Sequence, residues 1–241
     1  PGGQMWQNRD TYTTGHGSLK PTGFISGLAA YASENGKDVV YVAGRANGTT
    51  TAHLYRYTIT DVTDPTQDTW ERVGYSQSTI AVQGTGAYDP TAKVFVRTGD
   101  ASMPFLYWDL NRAGLFNNEV IFRPTDQTAG QFQISVHYGL DYDPIRDQFL
   151  LWGGTADVWA LHKPAGGLSA SGWTLERDSL VGPPGPGPLL LTGTAGTAGG
   201  VLGKWHYAPD LDVFIGLRNA VAGEVWVYKP HGWHNPLSNS N

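Results

Sequence analysis

Residues 140–154 read LDYDPIRDQFLLWGG, a tyrosine, an Asp-Pro turn and an apolar run closed by two glycines. The same order returns in AAYASENGKDVVYVAG (29–44), GAYDPTAKVFVRTGD (86–100) and WHYAPDLDVFIGLRN (205–219). Tyr31, Tyr88, Tyr142 and Tyr207 align, each followed by a short turn and a strand-like run. Proline presets φ for a tight turn and aspartate can hydrogen-bond its own backbone, so each copy reads as strand, hairpin turn, strand.

The flanks repeat as well. Upstream of the tyrosines lie FISGLAA, IAVQGTG, ISVHYGL and VLGKW, expected to be the first strands of four units. Downstream come HLYRYTI (53–59), FLYWDL (105–110), DVWAL (157–161) and EVWVY (224–228), then WERV (70–73), VIFR (120–123) and WTLER (173–177) as fourth strands. The tyrosine spacings of 57, 54 and 65 residues leave room for four short strands and their loops. That pattern predicts an all-β chain, a β-propeller of four recognisable four-stranded blades.

Trp152-Gly153-Gly154 after the second strand, the aromatic in the third strand, and DPTQDTW (64–70) leading into the fourth resemble the Kelch repeat over residues 24 to 229. The double glycine becomes Ala43-Gly44 and Thr98-Gly99 in the first two units and Gly216-Leu217 in the last. The propeller of galactose oxidase is similar in type. That family's copper site needs a cysteine crosslinked to tyrosine, and this chain has none. The resemblance also extends to bacterial secreted Kelch-like proteins, which implies a secreted or extracellular setting, the cell surface included.

Composition agrees with a turn-rich β protein: 32 glycines, 15 prolines and 9 tryptophans among 241 residues, with only 15% charged. A net charge of -5 with no basic stripe argues against nucleic acid as a partner. No apolar run is long enough for a transmembrane segment. Without cysteine there is no thiolate nucleophile or zinc–thiolate site. His-Glu-x-x-His and Gly-x-Ser-x-Gly are absent, and no cofactor is expected.

The reading divides the chain into an N-terminal segment (1–23), blade 1 (24–76), blade 2 (77–125), blade 3 (126–178), a Pro/Gly-rich insertion (179–199), and blade 4 with its tail (200–241). MWQNRD (5–10) resembles an orphan fourth strand that would complete blade 4 beside Glu224–Tyr228. Two alternatives follow, a closed four-bladed ring or the last four blades of a larger propeller, and a chain opening on Pro1 favours the second.

An aromatic at one place in every blade is expected to pack between blades, as scaffold. Function should then lie where the copies differ. One residue before the tyrosines stand Ala30, Ala87, Asp141 and His206, and five before stand Ser26, Gln83, His137 and Leu202. Period-two alternation puts His137 and Asp141 on one face of a strand. His137, Asp141, His206 and Gln83 are therefore the polar candidates along the channel, read as separately hydrogen-bonded groups rather than metal ligands. His231 and His234 near the terminus are expected to be solvated, Asn47-Gly48-Thr49 is a glycosylation sequon, and the insertion around Leu189–Leu191 is a candidate contact surface. The function expected is a non-catalytic extracellular module that binds a protein or glycan partner or self-assembles. The alternative is a carbohydrate-directed enzyme with its site at the channel mouth.

Overall fold

Each repeat folds as a small antiparallel sheet whose first hairpin is the tyrosine motif. The structure, a computed structural model, describes residues 20–21, 23–45, 52–76, 84–98, 105–112, 114, 118–130, 132–134, 137–178, 201–219 and 223–236. Blade 1 comprises β1 (Gly23–Glu34), β2 (Lys37–Arg45), β3 (Ala52–Ile59) and β4 (Thr69–Gly74). Blade 2 comprises β5 (Gly86–Asp89), β6 (Val94–Thr98), β7 (Phe105–Asp109) and β8 (Glu119–Phe122). In blade 3, β10 (Gly139–Asp143), β11 (Gln148–Trp152), β12 (Val158–His162) and β13 (Thr174–Arg177) run antiparallel, and the two-residue β9 (Thr125–Asp126) joins β13 in parallel. Blade 4 has β14 (Trp205–Ala208), β15 (Val213–Asn219) and β16 (Glu224–Tyr228), three strands among the described residues.

The inner strands β1, β5, β10 and β14 neighbour one another in that order, and β1 also lies against the 3-10 turn at Leu202–Lys204 just ahead of β14. The four sheets thus stand in a ring, a four-bladed β-propeller. MWQNRD, the sequon, Gln83 and the insertion lie outside the described residues.

The hairpins explain why the motif repeats. Asp89 Oδ1 accepts the backbone N–H groups of Thr91 and Ala92 at 2.8 and 3.0 Å, and Asp143 Oδ1 does the same for Ile145 and Arg146 at 3.0 and 3.1 Å. Each four-residue loop ends on a left-handed residue, Lys93 (φ 52°), Asp147 (φ 53°) or Asp212 (φ 50°). Blade 1 makes the same bend with Asn35 (φ 52°) and Gly36 (φ 75°), the two-residue turn whose twist suits a hairpin.

Between blades the core is aromatic. Phe95, Phe149 and Phe214 pair across the hairpin with Tyr88, Tyr142 and Tyr207, and all three phenylalanines are fully buried. Each faces the preceding blade: Phe95 packs with Tyr41 and Leu54, Phe149 with Tyr107, and Phe214 with Leu150 and Trp152. Trp173 stacks on Phe122 at 4.2 Å across the second interface, and Trp152 meets Trp205 at 5.1 Å across the third. Gly216 leaves room for this last contact, since a Cβ there would overlap the Trp152 ring.

Two local expectations are corrected. Only Trp205 of VLGKW is strand, where it opens β14: Leu202–Lys204 makes the 3-10 turn, and the N–H groups of Val201 and Leu202 both donate to the His137 carbonyl, at 2.9 and 3.3 Å. The inner strand of blade 3 starts only at Gly139, so His137 lies in the turn before it and not on a strand face with Asp141. No helix among the described residues is long and apolar enough to cross a membrane.

Candidate functional site

The four repeated tyrosines do not share one degree of burial. Tyr88 and Tyr142 are 6% and 7% exposed, Tyr207 is half-buried, and Tyr31 is 66% exposed. Tyr31, on the side of blade 1 that carries Val40, instead faces the same cavity as Gly203, His206 and Tyr207 of blade 4. Scaffold packing therefore describes Tyr88 and Tyr142 but not Tyr31.

All four rings line one cavity of about 840 Å³ at the centre of the ring. Pro90, Pro144 and Pro209, the turn prolines of blades 2 to 4, complete its rim. Each phenol is fixed by a carboxylate: Tyr31 donates to Asp38 at 2.6 Å, Tyr88 to Glu34 at 2.6 Å, Tyr142 to Asp147 at 2.6 Å and Tyr207 to Asp212 at 2.9 Å. Burial, then the carboxylate partner, pushes the Tyr88, Tyr142 and Tyr207 phenols well up, so they remain neutral donors. Burial and these bonds fix the orientation of the Tyr88 and Tyr142 rings, while Tyr31 is oriented by its Asp38 bond alone.

Asp141 and His206 are the polar pair of this wall. Asp141 Oδ1 accepts from the Tyr142 N–H at 2.9 Å, while Oδ2 accepts from the Tyr207 N–H at 2.9 Å and lies 3.3 Å from His206 Nδ1. It thereby joins the inner strands of blades 3 and 4. The other imidazole nitrogen, Nε2, sits 2.9 Å from the Gly203 carbonyl. With an acceptor at each nitrogen the imidazolium is favoured, and Asp141 raises the His206 pKa above its ordinary value.

Of the four polar candidates, then, two meet. His137 is exposed in its turn, with its carbonyl holding Val201 and Leu202, and Gln83 lies outside the described residues. Among the described residues no group of three His, Cys, Asp or Glu could hold a metal ion. The tyrosines themselves were missed as lining residues. A signal was present, because an aspartate stands five residues after Tyr142 and after Tyr207, where it becomes the phenol's acceptor.

Chemically, the cavity offers flat aromatic faces, three prolines, one carboxylate and one imidazole. Among the described residues that line it, Asp141 is the single carboxylate. Glycoside hydrolysis ordinarily needs two, one as acid and one as base or nucleophile.

No protein-family model matches the sequence, and no curated protein is similar to it. Among solved structures the chain is similar to the GH93 α-L-arabinofuranosidase of Fusarium graminearum in complex with arabinobiose, at 12% identity and a TM-score of 0.43, over 86% of this chain and 58% of that one. It is also similar to the GH43 endo-arabinanase from Bacillus licheniformis, at 10% identity and a TM-score of 0.35, over 82% of this chain and 70% of that one. The chain therefore spans less than two thirds of the length of the first.

Proposed function

We propose that this propeller is a non-catalytic carbohydrate-binding module that receives a sugar in its axial cavity. One observation carries the reading: four tyrosines, each phenol bonded to a carboxylate, converge on a single cavity with the Asp141–His206 pair in its wall. Sugar rings present apolar C–H faces and a rim of hydroxyls, so they pair with aromatic faces plus a few convergent polar groups. A single carboxylate among the described lining residues supports binding over hydrolysis. An extracellular setting belongs to the same proposal, since polymeric glycans are met outside the cell, and so does the Kelch-like assignment of the repeat.

The test is isothermal titration of the full chain with neutral and acidic oligosaccharides of two to four units. Tyr31 is the residue to alter, because its exposure lets Tyr31→Ala leave the blades folded. Binding that weakens roughly three- to tenfold in Tyr31→Ala is expected from the loss of one stacking face. Absence of heat and of protein chemical-shift changes with every sugar at millimolar concentration overturns the reading.

A further inference from the structure

Tyr88 and Pro90 belong to two walls at once. Inward they line the axial cavity, and outward they line a second cleft of about 510 Å³ between blades 1 and 2. Pro90 is exposed and forms the ridge between the two.

The other interfaces show why this cleft is open. Between blades 2 and 3, Lys163 bridges Asp89 and Asp147 and fills the space beneath the hairpins. Between blades 3 and 4, Arg146 does so, with Nη1 and Nη2 on the two carboxylate oxygens of Asp212 at 2.8 and 2.7 Å. Aligning the cross-strand pairs Tyr31–Val40, Tyr88–Phe95 and Tyr142–Phe149 places Ala32 opposite Asp89 in the repeat and Leu110 opposite Lys163. At the first interface both members of the ion pair are thus replaced by groups that carry no charge, and the volume they would fill remains as the cleft.

Charge at the hairpin corner is reversed as well. The left-handed residue is Asp147 in blade 3 and Asp212 in blade 4, but Lys93 in blade 2, where it is exposed and lines the cleft. Arg112 stands on the same wall, with Asp109 at 3.2 Å from its Nε. Across from them Glu71 holds Arg56 at 2.5 Å, presenting carboxylate oxygens able to accept from sugar hydroxyls.

From this placement we infer that the ligand is an acidic oligosaccharide: its neutral face stacks in the axial cavity, and a uronate one unit further on crosses Pro90 to reach Lys93 and Arg112. The inference rests on the glycan reading of the axial cavity and extends it to a substrate class. Two cations beside an open polar cleft suit a carboxylate, whose hydrogen bonds to them are charge-assisted, while a neutral sugar gains far less from them.

The experiment is calorimetric titration of the full chain with tetragalacturonate and tetramannuronate, beside cellotetraose and maltotetraose, at low and high salt. At least one acidic probe should bind about tenfold more tightly than the neutral ones, with the margin shrinking as salt screens the contact. Lys93→Asn should remove about five- to tenfold of that acidic affinity and leave the neutral probes unchanged, and Arg112→Gln should act in the same direction. A thermal melt of Lys93→Asn no lower than that of the parent shows that the fold is kept. Equal affinity for acidic and neutral probes, or acidic binding that ignores Lys93→Asn, overturns the inference and leaves the axial reading standing. If no probe of either kind binds, both fall together.

Discussion

Tyr88 of blade 2 donates its hydroxyl proton to Glu34 of blade 1, at 2.6 Å, and shares that oxygen with Tyr41, which donates at 2.7 Å. The two rings lie 4.4 Å apart between their centroids. Burial and Glu34 push the Tyr41 phenol up to about 12, so both tyrosines stay protonated and the carboxylate stays doubly bonded. Tyr142 and Tyr207 instead find aspartates on their own hairpins. Tyr88 reaches across because Lys93 occupies the position of that aspartate.

A shared acceptor predicts coupling. Tyr88→Phe alone leaves Glu34 with Tyr41 and should lower stability by about 1–2 kcal/mol, as should Tyr41→Phe. Among the described residues the double variant leaves the half-buried carboxylate with Arg56, 3.5 Å away, and should lose more than the sum. Urea denaturation of the four proteins measures this, and strict additivity would rule out the common acceptor.

Arg146 is the corresponding device between blades 3 and 4. Its side chain is 14% exposed and binds Asp143, Asp212 and the His231 carbonyl, the last through Nε at 2.7 Å. Arg146→Ala strands two buried carboxylates and should cost about 3 kcal/mol or more. Arg146→Met with Asp212→Asn, which keeps a residue suited to the left-handed turn, should recover much of that loss. Arg146 also holds the Asp212 carboxyl below its ordinary range. The folded pKa is therefore depressed, and the stability this pair contributes is full above the unfolded value and lost as pH falls through the folded one. Stability profiles of parent and double variant should converge at the acid end.

His53 predicts acid sensitivity at milder pH. It is buried, accepts the Ser76 N–H on Nδ1 at 3.1 Å and stacks on Tyr75 at 4.4 Å, so Nε2 carries the proton. Burial, with Arg72 nearby, lowers its pKa to about 4. The unfolded chain binds the proton first, near 6.5, and stability falls between there and about 4, by up to about 3 kcal/mol. His206 works the other way: its raised pKa makes the Asp141 contact fully stabilising below 6.5 and weaker as pH rises through the folded value. His53→Asn keeps an acceptor for Ser76 and should flatten the acid limb of a melting-temperature profile, whereas His206→Asn should flatten the neutral one.

What could be read in the sequence was whatever is local and repeated. Asp89-Pro90 and Asp143-Pro144 announce their hairpins because the aspartate bonds its own loop. The third strands were legible as aromatic runs because they are buried on both sides, as in β7 and β12. Long-range substitutions were not legible. His137 looked like a strand residue because nothing local reveals that its carbonyl holds Val201 and Leu202, more than sixty residues on. Tyr31 matched its counterparts and yet stands exposed, because burial depends on what packs against the hairpin and not on the hairpin's own sequence. The cavity lies where such relations between blades decide, so its lining could not be listed from the repeat alone.

Lys93 separates stability from binding. It adopts φ 52°, a left-handed conformation that suits asparagine, aspartate and glycine better than lysine, and its equivalents in blades 3 and 4, whose loops have the same length, are Asp147 and Asp212. Lys93→Asn relieves that strain without disturbing a buried contact, because the side chain is exposed and the residue's fold contribution is its carbonyl, which accepts the Leu110 N–H at 2.9 Å. The variant should therefore be more stable by about 0.5–1 kcal/mol. A lysine kept where a better turn residue is available is a local cost, and such costs gather at sites that use the side chain. The expected outcome is a variant that melts higher and loses affinity for uronate sugars. A Lys93→Asn protein that melts lower than its parent would show that the lysine is there to hold the hairpin and not to meet a ligand.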